Sequence, residues 1–326
     1  MNPLQPITVA QYGIGPIGAE ITRLLLTKPW VRLVGAIDID PNKVGRDLGE
    51  VIGLGREVGV KVTSELQGKP DVVCHSTGSR LPDVAPQLHE LLARGSHVVS
   101  TCEELSFPLD AEMREELQQL ARTNNVTLLG TGVNPGFVMD KLPLTITSVC
   151  QEVHSVQIIR IQNASTRREP LQRKVGAGMT PDEFRAAVAA GKIKHMGLRE
   201  SLMMVGSGLG IEFDSVTDEV IAPILAERDV KTQYLTAAKG QVAGVHQTIE
   251  GRGRIHVSLE LRMYVGAEDV AADRVIVKGV PDVEMEIKGG VHGDRATAAM
   301  VVNAIPRVIS ARPGVLTMDD IPISYR

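Results

Sequence analysis

The sequence predicts an α/β protein: a doubly wound parallel sheet, followed by a second α+β domain with a mainly antiparallel sheet. Three observations carry this. Over the first 135 residues, short apolar runs alternate with stretches of helical periodicity, the pattern of strands joined by crossover helices. The opening strand runs straight into a glycine turn and a helix. Beyond residue 135 the pattern changes to long, partly alternating β-rich stretches. A chain of 326 residues also exceeds one ordinary core. The expected division is 1–135, joined by the C-terminal helical segment 293–326, and 136–292.

In "ITVAQYGIGPIGAEITRLLLTK", Ile7 to Tyr12 reads as a strand and Ile17 to Lys28 as a helix. Between them Gly13, Gly15 and Gly18 spell G-x-G-x-x-G. The first glycine suits a tight turn, the second a close approach to a pyrophosphate, and the third close packing of helix on strand. Pro16 and Ile17 open the helix, whose free N–H groups and positive dipole end favour phosphate. A second strand, Arg32 to Asp38, completes a βαβ unit and ends on an acid placed to bind the adenosine ribose. The first domain is therefore expected to be a Rossmann fold that binds a dinucleotide. Asp38 favours the free 2′-hydroxyl of NAD, whereas Lys43 and Arg46 can meet the 2′-phosphate of NADP or stay solvated. Use of both cofactors is expected.

The alternation continues. "DVVCHSTGS" is a strand leaving through Thr77 and Gly78, and "LPDVAPQLHELLARG" is a helix closed by Gly95. "HVVST" is the next strand, "DAEMREELQQLARTNN" a helix, and "VTLLGTGVNPGF" a strand with a glycine-rich exit containing Asn134. Ligands of such sheets bind at the carboxyl ends of the strands, which here present Gly78, Glu103, Glu104 and Asn134. In the second domain, stretches around 154–165, 232–251, 254–268 and 273–290 read as strands. Thr180 caps a helix before Pro181, and a second helix covers 197–210. Gly293 to Gly314 reads as a small-residue helix carrying Asn303.

Lys plus Arg total 35 against 39 Asp plus Glu, a net charge of −4, which argues against nucleic-acid and anionic-membrane partners. No apolar run reaches the roughly 20 residues of a membrane span, and the N-terminus shows neither a basic region nor a cleavage site. Cys74, Cys102 and Cys150 are widely spaced and lack metal-ligand spacing. A reduced, cytoplasmic protein without a metal is expected.

"STCEELSFP" (100–108) sets Glu103 and Glu104 side by side at a strand tip. From the residues alone they are either solvated decoration or a proton-transfer pair. Several stretches, in order, bear on the choice: "QYGIGPIG" (11–18), "STCEELSFP", "GVNPGF" (132–137), "NASTRREPLQRKVGAGMT" (163–180), "HMGLRES" (195–201) and "GDRATAAMVVNAIP" (293–306). Together they resemble the dihydrodipicolinate reductase-like superfamily, in its amine dehydrogenase branch with 2,4-diaminopentanoate dehydrogenase. The paired histidines and the Lys and Pro-Ser-Gly-Thr expected of a dihydrodipicolinate reductase are replaced by "IRIQNASTRREPLQRK", which counts against a role in lysine biosynthesis.

The resemblance implies reductive amination of a small ketone or aldehyde with ammonia, and its reverse, in a homodimer formed through the second domain. It also implies an essential glutamate in the motif matching "CEEL", assigned first to Glu104 and second to Glu103. Arg160, Asn163 and His195 are the substrate-binding candidates. Arg167 and Arg168 can join Arg160 in holding a substrate carboxylate. Asn134 and Asn303 can bond the nicotinamide carboxamide, or serve only loop and helix. The alternatives are a specific 2,4-diaminopentanoate dehydrogenase, a C=N reductase that takes no free ammonia, and a non-catalytic NAD(P) sensor.

Overall fold

A computed structural model describes residues 6–325. The residues before Pro6, where the reading of the N-terminus begins, lie outside them. The chain divides into two compact units, one running up to Phe137 and resuming at His292, the other Val138–Val291.

The first unit holds a seven-stranded, wholly parallel sheet. Its order is Gly314–Leu316, Thr127–Gly130, His97–Ser100, Val72–His75, Ile7–Tyr12, Val31–Ile37, Val62–Thr63. The chain grows outward from Ile7–Tyr12 in one direction, then returns beside it with Val72–His75 and grows in the other. Strand order therefore reverses between Tyr12 and His75, and a crevice opens at their carboxyl ends. The central strands are buried on both faces, as parallel strands under helices must be. Helix Pro16–Leu25 packs against Gly293–Ser310 within this unit.

The first unit differs from the sequence reading at helix ends and adds detail to it: the first helix runs Pro16–Leu25 rather than 17–28. The last helix stops at Ser310 rather than Gly314, because Pro313 disfavours helix at the residue before it. The chain then forms Gly314–Leu316, which closes one edge of the parallel sheet. And the glutamate stretch is not a plain loop: Glu103–Ser106 forms one turn of 3₁₀ helix.

The second unit carries a mixed seven-stranded sheet, ordered Val283–Lys288, Ala272–Val280, Glu152–Asn163, His256–Tyr264, Val242–Arg252, Ser215–Val216, with Val220–Leu225 also paired to Val242–Arg252. All pairings are antiparallel except Glu152–Asn163 with His256–Tyr264. Strict alternation sorts the two faces: Val257, Leu259, Leu261 and Met263 are buried, while Ser258, Glu260, Arg262 and Tyr264 are half-buried. Thr180 caps helix Pro181–Ala189 in a full capping box with Glu183. Helix Leu198–Gly208 packs on the strands at Val242–Arg252 and His256–Tyr264. Helices Lys141–Thr147 and Glu169–Lys174 are too short for periodicity to reveal.

Candidate active site

The three motif glycines meet three different surroundings. Gly13 has φ +85°, and a Cβ there would lie 2.5 Å from the Ser76 carbonyl oxygen. A Cβ on Gly18 would lie 1.9 Å from the Gly13 oxygen, so helix and turn touch. A Cβ on Gly15 would meet nothing within 4 Å. That residue faces open space at the start of helix Pro16–Leu25, whose first turn has no side-chain cap. Close packing on two sides and an opening on the third form a cradle that suits a pyrophosphate, with the backbone at Ile17 and Gly18 as donor.

Asp38, one residue past its strand, is placed by its hydrogen bonds. Oδ2 accepts Ile14 N–H and Lys43 Nζ, both at 2.8 Å, and Oδ1 accepts Asp40 N–H at 2.9 Å. Burial raises its pKa, but the bonds from Lys43, Asp40 and Ile14 outweigh burial and hold the carboxyl below its usual range. Lys43 is thus paired with an acid, and Arg46 pairs with Glu50 at 2.6 Å.

Across the crevice the loop 76–79 is held down by buried polar groups. Ser76 N–H donates to Tyr12 O at 2.8 Å, and Gln11 Nε2 donates to both Gly13 O and Ser76 Oγ. Thr77 is exposed and Gly78 half-buried. Asn134 follows strand Thr127–Gly130 in the turn that contains the cis Asn134–Pro135 bond. It is 9 % exposed, and both its Oδ1 and Nδ2 are shut from solvent with no hydrogen-bond partner. A buried amide with both ends unmet is costly unless a ligand meets it. A nicotinamide carboxamide offers the matching donor and acceptor, so the unmet amide and the open space at Gly15 are compatible with a dinucleotide. Asn303 is half-buried on helix Gly293–Ser310.

The two glutamates are half-buried. Their turn sits against strand Thr127–Gly130, where a Cβ on Gly130 would lie 2.5 Å from the Leu105 backbone. Only glycine admits the turn so close. Glu104 N–H donates to Ser79 O at 3.2 Å, and its Oε2 accepts Leu81 N–H at 2.7 Å, at the start of helix Leu81–Ala93. In a 3₁₀ turn, successive side chains diverge by about 120°, so Glu103 points elsewhere.

In the second unit, Arg160 is 3 % exposed and its guanidinium is engaged. Nη1 bonds Asp273 Oδ1 at 2.6 Å and Nη2 bonds Val291 O at 3.0 Å, while Asp273 Oδ2 accepts Val291 N–H at 2.7 Å. Asn163 Oδ1 accepts Ser165 N–H at 2.9 Å, bracing the loop that follows its strand. His195 is fixed through its backbone, which exchanges two hydrogen bonds of 3.0 Å with the Gln247 amide. Its Nδ1 is shut from solvent without a partner. Burial, with Lys174 and Arg160 adding cationic charge, pulls its pKa down to about 4. Arg167 is buried and Arg168 half-buried.

Sequence reading passed over Gln11, which bonds the Gly13 and Ser76 turns, and Asp273, which pairs with Arg160, as well as the buried His75 at the end of its strand. His75 carried a weak signal, since a histidine ending an apolar strand beside Ser-Thr-Gly stands near any crevice. Asp273 carried none, being 113 residues from the arginine it neutralises.

The model of the 2,4-diaminopentanoate dehydrogenase C-terminal domain matches residues 137–325. The chain is 31% identical over 336 residues to 2,4-diaminopentanoate dehydrogenase of Acetoanaerobium sticklandii, covering 98% of this chain and 94% of that one. It is 26% identical to amine dehydrogenase of Streptomyces virginiae, covering 97% and 96%. It superposes on the amine dehydrogenase structure from Mycobacterium smegmatis with a TM-score of 0.86 and 27% identity, over 100% and 99% of the two chains. With the glycine cradle and the unmet amide in the same parallel sheet, these findings place the chain in the 2,4-diaminopentanoate dehydrogenase family, in the amine dehydrogenase branch of the dihydrodipicolinate reductase-like superfamily, as an NAD(P)-dependent oxidoreductase of CH–NH₂ groups.

Proposed function

We propose that this enzyme reductively aminates a small ketone or aldehyde with ammonia, and runs the reverse deamination, with Glu104 as its acid/base group. The observation that supports this best is the carboxylate at the strand tip, tied through one oxygen to Leu81 N–H. An oriented carboxylate beside a dinucleotide cradle is of use to proton transfer and of none to a sensor. Ammonia is mostly ammonium at neutral pH, so a base must first take a proton from it. Glu104 accepts that proton, returns it to the carbinolamine oxygen as water leaves, and then faces the cationic iminium as counter-charge. Glu103 is the second candidate for the same work.

Gly13, Gly15, Gly18 and the backbone N–H of Ile17 hold the pyrophosphate, with Pro16 starting the helix that aims them; Asp38 and Lys43 hold the adenosine ribose, and Thr77, Gly78, Asn134 and Asn303 the nicotinamide half. When bound, NAD(P)H supplies the hydride. Both cofactors are accepted, Asp38 serving NAD and Lys43 offsetting the 2′-phosphate of NADP. Arg160 is neutralised by Asp273, which supports a neutral substrate; His195 Nδ1 offers it a polar contact and Asn163 shapes the loop beside it. The 31% identity to 2,4-diaminopentanoate dehydrogenase favours a second reading, in which Arg167 and Arg168 hold a substrate carboxylate. We further propose a cytoplasmic homodimer built on the half-buried face of the second unit's sheet; among the described residues, no helix is long and apolar enough to cross a membrane.

The deciding experiment follows NADH and NADPH oxidation with a panel of small ketones and aldehydes, with and without concentrated ammonium, beside oxidation of 2,4-diaminopentanoate. Turnover only with ammonium supports the proposal. Turnover without it makes the protein a carbonyl reductase. Tight cofactor binding with no turnover anywhere favours the sensor. Oxidation of diaminopentanoate alone selects the second reading.

A further inference from the structure

Among the buried titratable groups that the proton and cofactor work assigned above leaves unused, His75 stands at one strand tip and its ring reaches the neighbouring one. His75 ends strand Val72–His75 and has no solvent exposure. Its ring is bonded on both sides. Nδ1 lies 2.9 Å from Ser100 Oγ, on the residue paired with His75 in the neighbouring strand. Nε2 lies 2.8 Å from Gln87 Oε1, on helix Leu81–Ala93. Thr77 Oγ1 is 2.9 Å from the same Nε2 and donates to Gln87 Oε1 at 2.6 Å. Tyr12 meets the ring edge-on, with centroids 5.5 Å apart.

The partners assign the protons. Gln87 Oε1 can only accept, so the hydrogen resides on Nε2, and Nδ1 accepts from the Ser100 hydroxyl. Ser100 Oγ in turn accepts Cys102 N–H at 3.1 Å, one residue before Glu103. The Cys102 thiol donates to Ser79 O at 3.2 Å, and Glu104 reaches Ser79 O and Leu81 N–H. One continuous set of hydrogen bonds therefore joins the loop 76–81 to the turn carrying the glutamates, and the imidazole is its buried node. With no exposed surface the ring touches neither substrate nor solvent. Burial also pulls its pKa down to about 4, more than the bond to Gln87 raises it, so the ring stays neutral near pH 7.

We infer that His75 is a positioning residue: it fixes the distance between the Thr77–Gly78 loop that receives the nicotinamide half and the strand tip that presents Glu103 and Glu104. This rests on the functional reading above for its catalytic consequence, but its effect on cofactor affinity does not. A ring that merely filled the core would be largely replaceable by phenylalanine, which is somewhat larger but keeps an aromatic ring against Tyr12 while losing both hydrogen bonds.

The test compares H75F, Q87L and the double variant, measuring the NADH dissociation constant and the kcat and KM of the ammonia-dependent reaction. H75F is expected to lower kcat about 10- to 100-fold, the effect of misplacing reacting groups by about 1 Å, with the carbonyl KM changed less than about threefold. NADH affinity is expected to fall roughly fivefold, since Thr77 loses its anchor. Q87L, at a half-buried helix position, should move both quantities in the same direction, and the double variant should be no slower than H75F, because both side chains act through one set of bonds. Turnover and NADH affinity of H75F within about threefold of wild type, or losses that multiply in the double variant, overturn the inference. If H75F does not fold, Q87L decides it on the same measures. If the wild-type enzyme shows no ammonia-dependent turnover, the functional reading has failed and the NADH constant alone judges His75: weakened in the variants supports positioning, unchanged refutes it.

Discussion

Two buried polar sites, one in each unit, treat their hydrogen-bonding capacity in opposite ways. At the carboxyl end of the parallel sheet, Asn134 keeps both ends of its amide unmet and Gly15 faces open space. At the end of strand Glu152–Asn163, Arg160 is closed off by Asp273 and the Val291 backbone, with almost no surface left. The first arrangement leaves hydrogen-bonding capacity for something outside the protein. The second consumes it. A residue's type thus says little about whether it binds a ligand; what counts is whether its capacity is already met.

The largest effect should separate the glutamates from their surroundings. Replacing Glu104 by Gln keeps an acceptor for Leu81 N–H but removes the proton shuttle. A kcat loss of about 10²- to 10⁴-fold is expected, with NADH affinity nearly unchanged. Equal losses in kcat and cofactor affinity would mean that Glu104 serves the fold, and the same loss appearing in E103Q alone would move the role to Glu103.

The closed cluster should answer in stability instead. Asp273→Ala leaves Arg160 buried without its counter-charge, which costs about 3–5 kcal/mol for such pairs. Thermal unfolding should show a lower midpoint, and a variant as stable as wild type would show that the pair is not closed in solution.

A pH titration of wild type against H75F isolates a buried group of the first unit whose hydrogen bonds are met inside the protein. His75 has a pKa of about 4 when folded against 6.5 in its ordinary state. Between those values the unfolded chain binds more protons, so stability present above pH 6.5 is lost as pH falls toward 4. The gap corresponds to about 3 kcal/mol at most. Denaturant unfolding at pH 7.5 and 5.0 should reveal this slope in wild type and a shallower one in H75F; identical slopes would count against a buried neutral ring.

The smallest effect tests the cradle. Gly15→Ala places a methyl in open space, so unfolding should shift by less than about 1 kcal/mol while NADH binding weakens roughly tenfold because the methyl enters the phosphate space. Gly18→Ala should do the reverse, destabilising the fold through the clash with Gly13 O. Equal stability in both variants would contradict the different spacing seen at the two glycines.

Much of the first unit could be read without coordinates because its signals are local. The G-x-G-x-x-G spacing and Asp38 at the end of the second strand each need only neighbours in the chain, as does the Thr180 cap in the second unit. The order of strands beyond the βαβ unit came only from the structure, since it depends on pairing between strands remote in sequence. Strand Gly314–Leu316 escaped notice because three residues carry no periodicity and its partner Thr127–Gly130 is remote in sequence. Arg160 stayed an open candidate for the same reason: an arginine in a strand reads identically whether an acid waits across the sheet or not.

The sequence by itself determined the dinucleotide cradle, the alternation that builds a parallel sheet and the presence of two carboxylates at one strand tip, since all three rest on short-range backbone chemistry. Only the tertiary structure decided that Glu104 turns toward Leu81, that Asp273 answers Arg160 and that His75 joins two strand tips. Those outcomes depend on which polar groups burial forces together, and burial is a property of the packed chain, not of any stretch of it.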